Sequence, residues 1–118
     1  MKRIIDPLLE MGAEIQSDNF KAPLIFSPSK LNGIDYTMKI ASAQVKSCIL
    51  LAALTASSPP RLSTPAVSLS PTERMLQSMG AQIKVDNLDI LIQPGPINAI
   101  DMQVPGDISS AAFWIVAA

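Results

Sequence analysis

The residues best placed to do chemistry are Ser42, Ala43 and Gln44, directly ahead of the largely apolar run Val45-Lys46-Ser47-Cys48-Ile49-Leu50-Leu51. A helix opening here, with Ala41 or Ser42 as its cap, gathers its first backbone N–H groups, the Ser42 hydroxyl and the Gln44 amide at its positive end. Such an end can hold a phosphate or a carboxylate. A purely structural reading stands beside it, in which Ser42 only caps the helix while Gln44 and Lys46 are solvated. A second helix start of the same kind is Pro105-Gly106-Asp107-Ile108-Ser109-Ser110. There Gly106 permits a tight turn and either Asp107 or Ser109 can cap.

Much other chemistry is excluded. The chain has no histidine, which removes a Ser-His-Asp triad, a Cys-His pair and His-ligated zinc together. No pair of carboxylates is set out for acid–base work: Asp18, Asp86 and Asp89 read as turn residues, Glu10 and Glu14 as solvated charges, and Glu73 as a capping partner. The single cysteine, Cys48, reads as a core thiol of a cytoplasmic protein. Nine basic against ten acidic residues leave a net charge of −1, so neither a nucleic acid nor a membrane surface is an expected partner. The apolar runs Cys48 to Leu54 and Ala111 to Ala118 are far shorter than the ~18 residues of a membrane span, and Met1-Lys2-Arg3-Ile4-Ile5-Asp6-Pro7 does not read as a signal peptide.

The elements that position these residues come in two copies. Met11-Gly-Ala-Glu-Ile-Gln-Ser-Asp-Asn19 matches Met79-Gly-Ala-Gln-Ile-Lys-Val-Asp-Asn87 without a gap, and Gly33-Ile-Asp35 answers Ala99-Ile-Asp101. The pattern is an α-β-β-β-α stretch written twice, over about residues 3–54 and 71–118, within a single domain spanning 1–118. The Pro/Ser-rich segment 57–65 is the expected loop between the copies. Ser70, Pro71 and Glu73 predict a helix from Pro71 to Met79 that stops at Gly80, and Asp6-Pro7 does similar work ahead of Gly12. Leu24-Ile25-Phe26 and Tyr36-Thr37-Met38 fit strands, and Ile83, Val85, Ile90 and Ile92 alternate around Asp86-Asn87 as a hairpin with one buried face. An α/β (α+β) architecture follows, with helices packed against sheet. The closing run, with Phe113 and Trp114, is apolar all round and reads as core. Either this chain folds over it, a second chain covers it, or the sequence belongs to something longer.

Three segments are familiar. Ser42-Ala-Gln-Val-Lys-Ser47 with its Ile-Leu-Leu-Ala helix, Thr72-Glu-Arg-Met-Leu76 with its Met-Gly-Ala, and Val104-Pro-Gly-Asp-Ile-Ser-Ser-Ala-Ala-Phe113 closely resemble the 5-enolpyruvylshikimate-3-phosphate synthase family. The likeness runs along the whole chain but covers only part of the family's usual length. The related transferase acting on UDP-N-acetylglucosamine fits Ser42-Ala-Gln-Val-Lys-Ser47 less well. The resemblance implies repeated βαβαββ units with helices inside and sheets outside. It also implies transfer of the enolpyruvyl group of phosphoenolpyruvate to shikimate 3-phosphate, in aromatic amino-acid biosynthesis, without a metal or organic cofactor. Ser42 and the backbone of Ala43 correspond to the part that holds the 3-phosphate, Gln44 to a residue between the two substrates, and Ser68 to a loop that meets shikimate 3-phosphate.

The sequence also departs from the family. Where many members read Ser-Arg-Asp-His-Thr-Glu-Arg-Met-Leu, this chain reads Ser68-Leu-Ser-Pro-Thr-Glu-Arg-Met-Leu76. Leu69 replaces a ligand-facing arginine and Pro71 a histidine, and the family's catalytic carboxylates and its clamping arginines have no counterpart here. Two readings result. One is a fragment of the transferase that keeps half of a shikimate 3-phosphate site and is inactive alone, with a complementing fragment or a homodimer as partner. The other is a non-catalytic α/β module of the same descent that self-associates and has no substrate.

Overall fold

The computed structural model describes residues 1–66 and 71–117, in which four helices and six strands alternate. Helix α1 (Lys2–Glu10) buries Ile5 and Pro7, and Met11 follows into the core. Its start corrects the reading of Asp6-Pro7: the helix begins at Lys2, and Asp6 pairs with Lys2 Nζ one turn back at 2.9 Å. Proline is tolerated inside because its φ is already helical and the carbonyl left without an amide lies in the exposed first turn.

Helix α1 and helix α3 (Pro71–Ser78) end in the same way. Gly12 and Gly80 both adopt φ +94°. Ala13 N–H donates to Leu8 C=O and Gly12 N–H to Leu9 C=O, each at 2.9 Å; Ala81 N–H donates to Leu76 C=O and Gly80 N–H to Gln77 C=O, at 2.9 and 3.0 Å. This is the paired bonding of a glycine-terminated helix, which satisfies carbonyls the helix leaves over. An asparagine then seals each turn: Asn32 N–H donates to Met11 C=O, and Asn98 N–H to Met79 C=O, both at 2.7 Å. The sequence repeat is therefore a repeat of backbone geometry.

Strands β1 (Glu14–Asp18) and β2 (Lys21–Ser27) form an antiparallel ribbon, closed by Asn19 and Phe20 at positive φ, the twist that suits a two-residue hairpin. The other strands form one sheet in the order β3-β4-β6-β5: β3 (Asp35–Thr37), β4 (Arg61–Ser63), β6 (Asp89–Ile92) and β5 (Ile83–Asp86). β3 and β4 run parallel, and the other neighbours are antiparallel. In β6 the burial alternates, with Ile90 and Ile92 inside; in β5 Ile83 is half-buried and Val85 exposed.

Two expectations are corrected here. Residues 57–65 are not loop throughout, because Arg61–Ser63 is β4, the strand that joins the copies. Leu62 drives it into the core at 1% exposure while Arg61 and Ser63 bond Asp89 across the sheet. Asp89 is thus a cross-strand anchor as well as a turn neighbour. Conversely, Ala99-Ile-Asp101 forms no strand; β3 has β4 on its flank, and no strand flanks 99–101 among the described residues.

Helix α2 (Ala43–Ala53) lies across the core with Val45, Ile49, Leu50 and Ala53 buried, beside Met11, Met38, Leu62 and Leu76. Cys48 is half-buried, and burial pushes its thiol pKa up. Helix α4 (Ile108–Ala117) buries nothing: Phe113 is 82% and Trp114 80% exposed. They are not core here, because among the described residues no other element folds over them. The radius of gyration, 15.9 Å, exceeds the roughly 13.5 Å of a compact chain of this length, as a projecting helix requires.

Candidate functional site

Ser42 is the N-cap of α2, with extended backbone at φ −144° and ψ 112°. Val45 N–H donates to its Oγ at 3.4 Å, and Lys46 N–H to its carbonyl at 3.1 Å. The Ser42 hydroxyl in turn donates to Gln44 Oε1 at 3.0 Å, which leaves the Gln44 NH2 facing solvent. The amides of Ala43 and Gln44 belong to the first turn, where no helical acceptor is available, and meet no acceptor among the described residues. Ser42, Ala43 and Gln44 therefore stand together at the positive end of α2. Ser68 and the Ser70 cap lie outside the described residues.

Beside this helix end is a cavity of about 150 Å³ lined by Ala41, Ser42, Ala43, Lys46 and the segment Thr64 to Ala66. Thr64 fixes its far wall: its Oγ1 lies 3.0 Å from Ala66 C=O and 3.2 Å from Leu88 C=O, and its N–H donates to Leu88 C=O at 2.7 Å. A larger depression of about 530 Å³ opens on the other side of Ser42, between α1 and β3, lined by Arg3, Asp6, Glu10, Tyr36 and Lys39 among others. Burial there pushes the Tyr36 hydroxyl pKa up, with Glu10 and Asp6 adding to it.

Lys46 differs from expectation, and Glu73 has a partner beyond the cap, which lies outside the described residues. Lys46 is 3% and Glu73 0% exposed, and Nζ lies 3.3 and 3.4 Å from the two carboxylate oxygens. Next to them the Ser47 and Thr72 hydroxyls are 2.7 Å apart. Lys46 is not solvated because Lys46, Ile49, Leu50 and Ala53 recur at helical spacing and form one buried face. That spacing is the signal that could have found the pair: a charge on a core stripe needs a counter-charge.

At the second helix start Asp107, not Ser109, is the cap. Its Oδ1 accepts from Ser109 N–H at 3.0 Å, and its Oδ2 from Ser110 N–H at 3.2 Å and from the Ser110 hydroxyl at 2.6 Å. The Ser110 hydroxyl first, then the Ser109 amide, holds the Asp107 pKa below the usual carboxylate range.

The arrangement of helices and sheet matches the enolpyruvyl transferase fold of solved structures. The enolpyruvyl transferase NikO from Streptomyces tendae shares it, at a TM-score of 0.61 and 16% identity over 81% of this chain and 22% of that one. The likeness to EPSP synthase from Acinetobacter baumannii is much greater: TM-score 0.83 and 41% identity, covering 100% of this chain and 27% of that one. The family model of EPSP synthase (3-phosphoshikimate 1-carboxyvinyltransferase) matches residues 1–118, and the chain belongs to that family. Among its relatives are the 3-phosphoshikimate 1-carboxyvinyltransferases of Syntrophomonas wolfei, 50% identical, and Clostridium tetani, 49% identical. Both matches span 100% of this chain but only 28% and 27% of the relatives' own lengths.

Proposed function

We propose that this chain supplies one wall of a shikimate 3-phosphate site in a 3-phosphoshikimate 1-carboxyvinyltransferase. The Ser42 hydroxyl and the amides of Ala43 and Gln44 take the 3-phosphate, and the Gln44 side chain reaches towards the phosphoenolpyruvate side. By the family resemblance, Ser68 is a further contact to shikimate 3-phosphate. Ser42 now spends its hydroxyl proton on Gln44 Oε1; an incoming phosphate oxygen accepts that proton instead and frees Gln44 to turn. What supports this reading is family membership together with the first turn of α2, whose amides lack acceptors among the described residues beside a cavity. Turnover, enolpyruvyl transfer with loss of phosphate, is assigned to the intact family protein, since the chain spans about 28% of its curated relatives. No metal or organic cofactor enters this reading, and a cytoplasmic setting suits the unbridged, half-buried Cys48.

An NMR titration with shikimate 3-phosphate tests the proposal. Shifts centred on the amides of Ser42 to Gln44 at millimolar ligand or below are expected, and weaker in Ser42→Ala; no shift at saturating ligand sinks the reading. A second reading, a self-associating module without substrate, is favoured by the exposed side chains of Phe113 and Trp114 on α4. A complementing chain that covers α4 would serve the same surface.

A further inference from the structure

We infer that the Lys46–Glu73 ion pair is a positioning device for the anion site: it sets the first turn of α2 against the first turn of α3, and Lys46 acts through Ser42 to Gln44 rather than by touching ligand. This rests on the reading of Ser42 to Gln44 given above. Both groups are almost wholly withdrawn from water, at 3% and 0% exposure, and a buried ion pair is a poor source of stability, since an apolar pair of similar volume often serves a core better. Its use lies in its location. Lys46 stands one turn after the cap, and its own amide bonds the Ser42 carbonyl at 3.1 Å. Glu73 and Thr72 stand in the opening turn of α3. Helix α2 packs more closely on α1 than on α3, so directional contacts weigh heavily in fixing the α2–α3 relation. Two such contacts lie side by side: Lys46 on Glu73 at 3.3 Å, and Ser47 with Thr72 at 2.7 Å. Geometry held by directional bonds is what an anion site built on the first turn of a helix requires.

The test separates placement from charge. E73Q leaves a positive charge near the anion site, so charge alone makes shikimate 3-phosphate bind as well or better, whereas lost placement makes it bind about fivefold weaker or worse. K46M/E73L removes both charges at similar volume, and about a tenfold loss is expected in the folded double variant. Unchanged or tighter binding in E73Q, or wild-type affinity in K46M/E73L, overturns the inference. Should the wild-type chain not bind shikimate 3-phosphate, the functional reading fails instead. The positioning role is then judged without ligand by amide exchange. In E73Q the Val45 and Lys46 amides should exchange at least tenfold faster while Leu50 to Ala53 are unchanged, and equal rates at Val45 and Lys46 reject it.

Discussion

Gly12 and Gly80 hold the same backbone torsion, φ +94°, each as the first residue beyond a helix cap and each facing an asparagine amide. A Cβ at Gly12 would lie 3.2 Å from Lys30 C=O and 3.5 Å from Asn32 Nδ2; one at Gly80 would lie 3.1 Å from Asn98 Nδ2. Alanine at either position faces both an unfavourable torsion and a tight neighbour. Gly12→Ala and Gly80→Ala are each expected to cost about 1–2 kcal/mol, read as a lower urea midpoint at constant m-value. A midpoint within error of wild type in both variants would contradict this account of the helix ends.

Removing one charge of the buried pair should cost far more. Lys46→Met takes the lysine away from the buried Glu73 carboxylate and is expected to destabilise the chain by ~3–5 kcal/mol. K46M/E73L is expected to recover most of that loss. If K46M unfolds at the wild-type denaturant concentration, the Lys46–Glu73 contact does not carry that stability.

The cap of α4 carries a pH dependence. Because the folded pKa of Asp107 is depressed, its contribution is complete above the ordinary aspartate pKa and is lost as pH falls through the lower, folded value. The helical Cα shifts of Ser109 to Ala112 should therefore hold at neutral pH and collapse on acidification, and Asp107→Ala should show the collapsed values at every pH. A helix that stays intact in acid argues against this cap. Asp89, held low chiefly by Arg61 and next by Ser63, acts in the same direction across β4 and β6.

Trp114, the only tryptophan, reports on what covers α4. Dilute protein should emit as a solvent-exposed indole, and raising the concentration should shift emission to the blue as copies associate. F113S/W114S should sediment as a monomer throughout. A wild-type chain that remains monomeric across the micromolar range rejects self-association.

Features written locally were legible in the sequence. The glycine stops, the α3 span and the Asp86-Asn87 turn each depend on residues within a few positions of one another, and the structure has all three, though Val85 is exposed and not on the expected buried face. The Ser42 cap was equally local. Features decided by distant partners were not. β4 is three residues long, follows two prolines, and exists because β3 and β6 bracket it. The ion pair of Glu73 was not legible because its lysine lies on another helix. Phe113 and Trp114 read as core because composition reports how apolar a segment is and not whether anything lies against it.

The placement of β4 has a further consequence. Through Tyr36↔Leu62 it belongs to the first copy, and through Leu62↔Ile90 to the second, so one leucine is shared by both halves of the repeat. Within the four-stranded sheet, neither half can lose its strands while the other keeps a finished edge. Denaturation should therefore pass through a single transition, with Leu62→Ala lowering the stability of both halves together and no species in which one copy outlives the other.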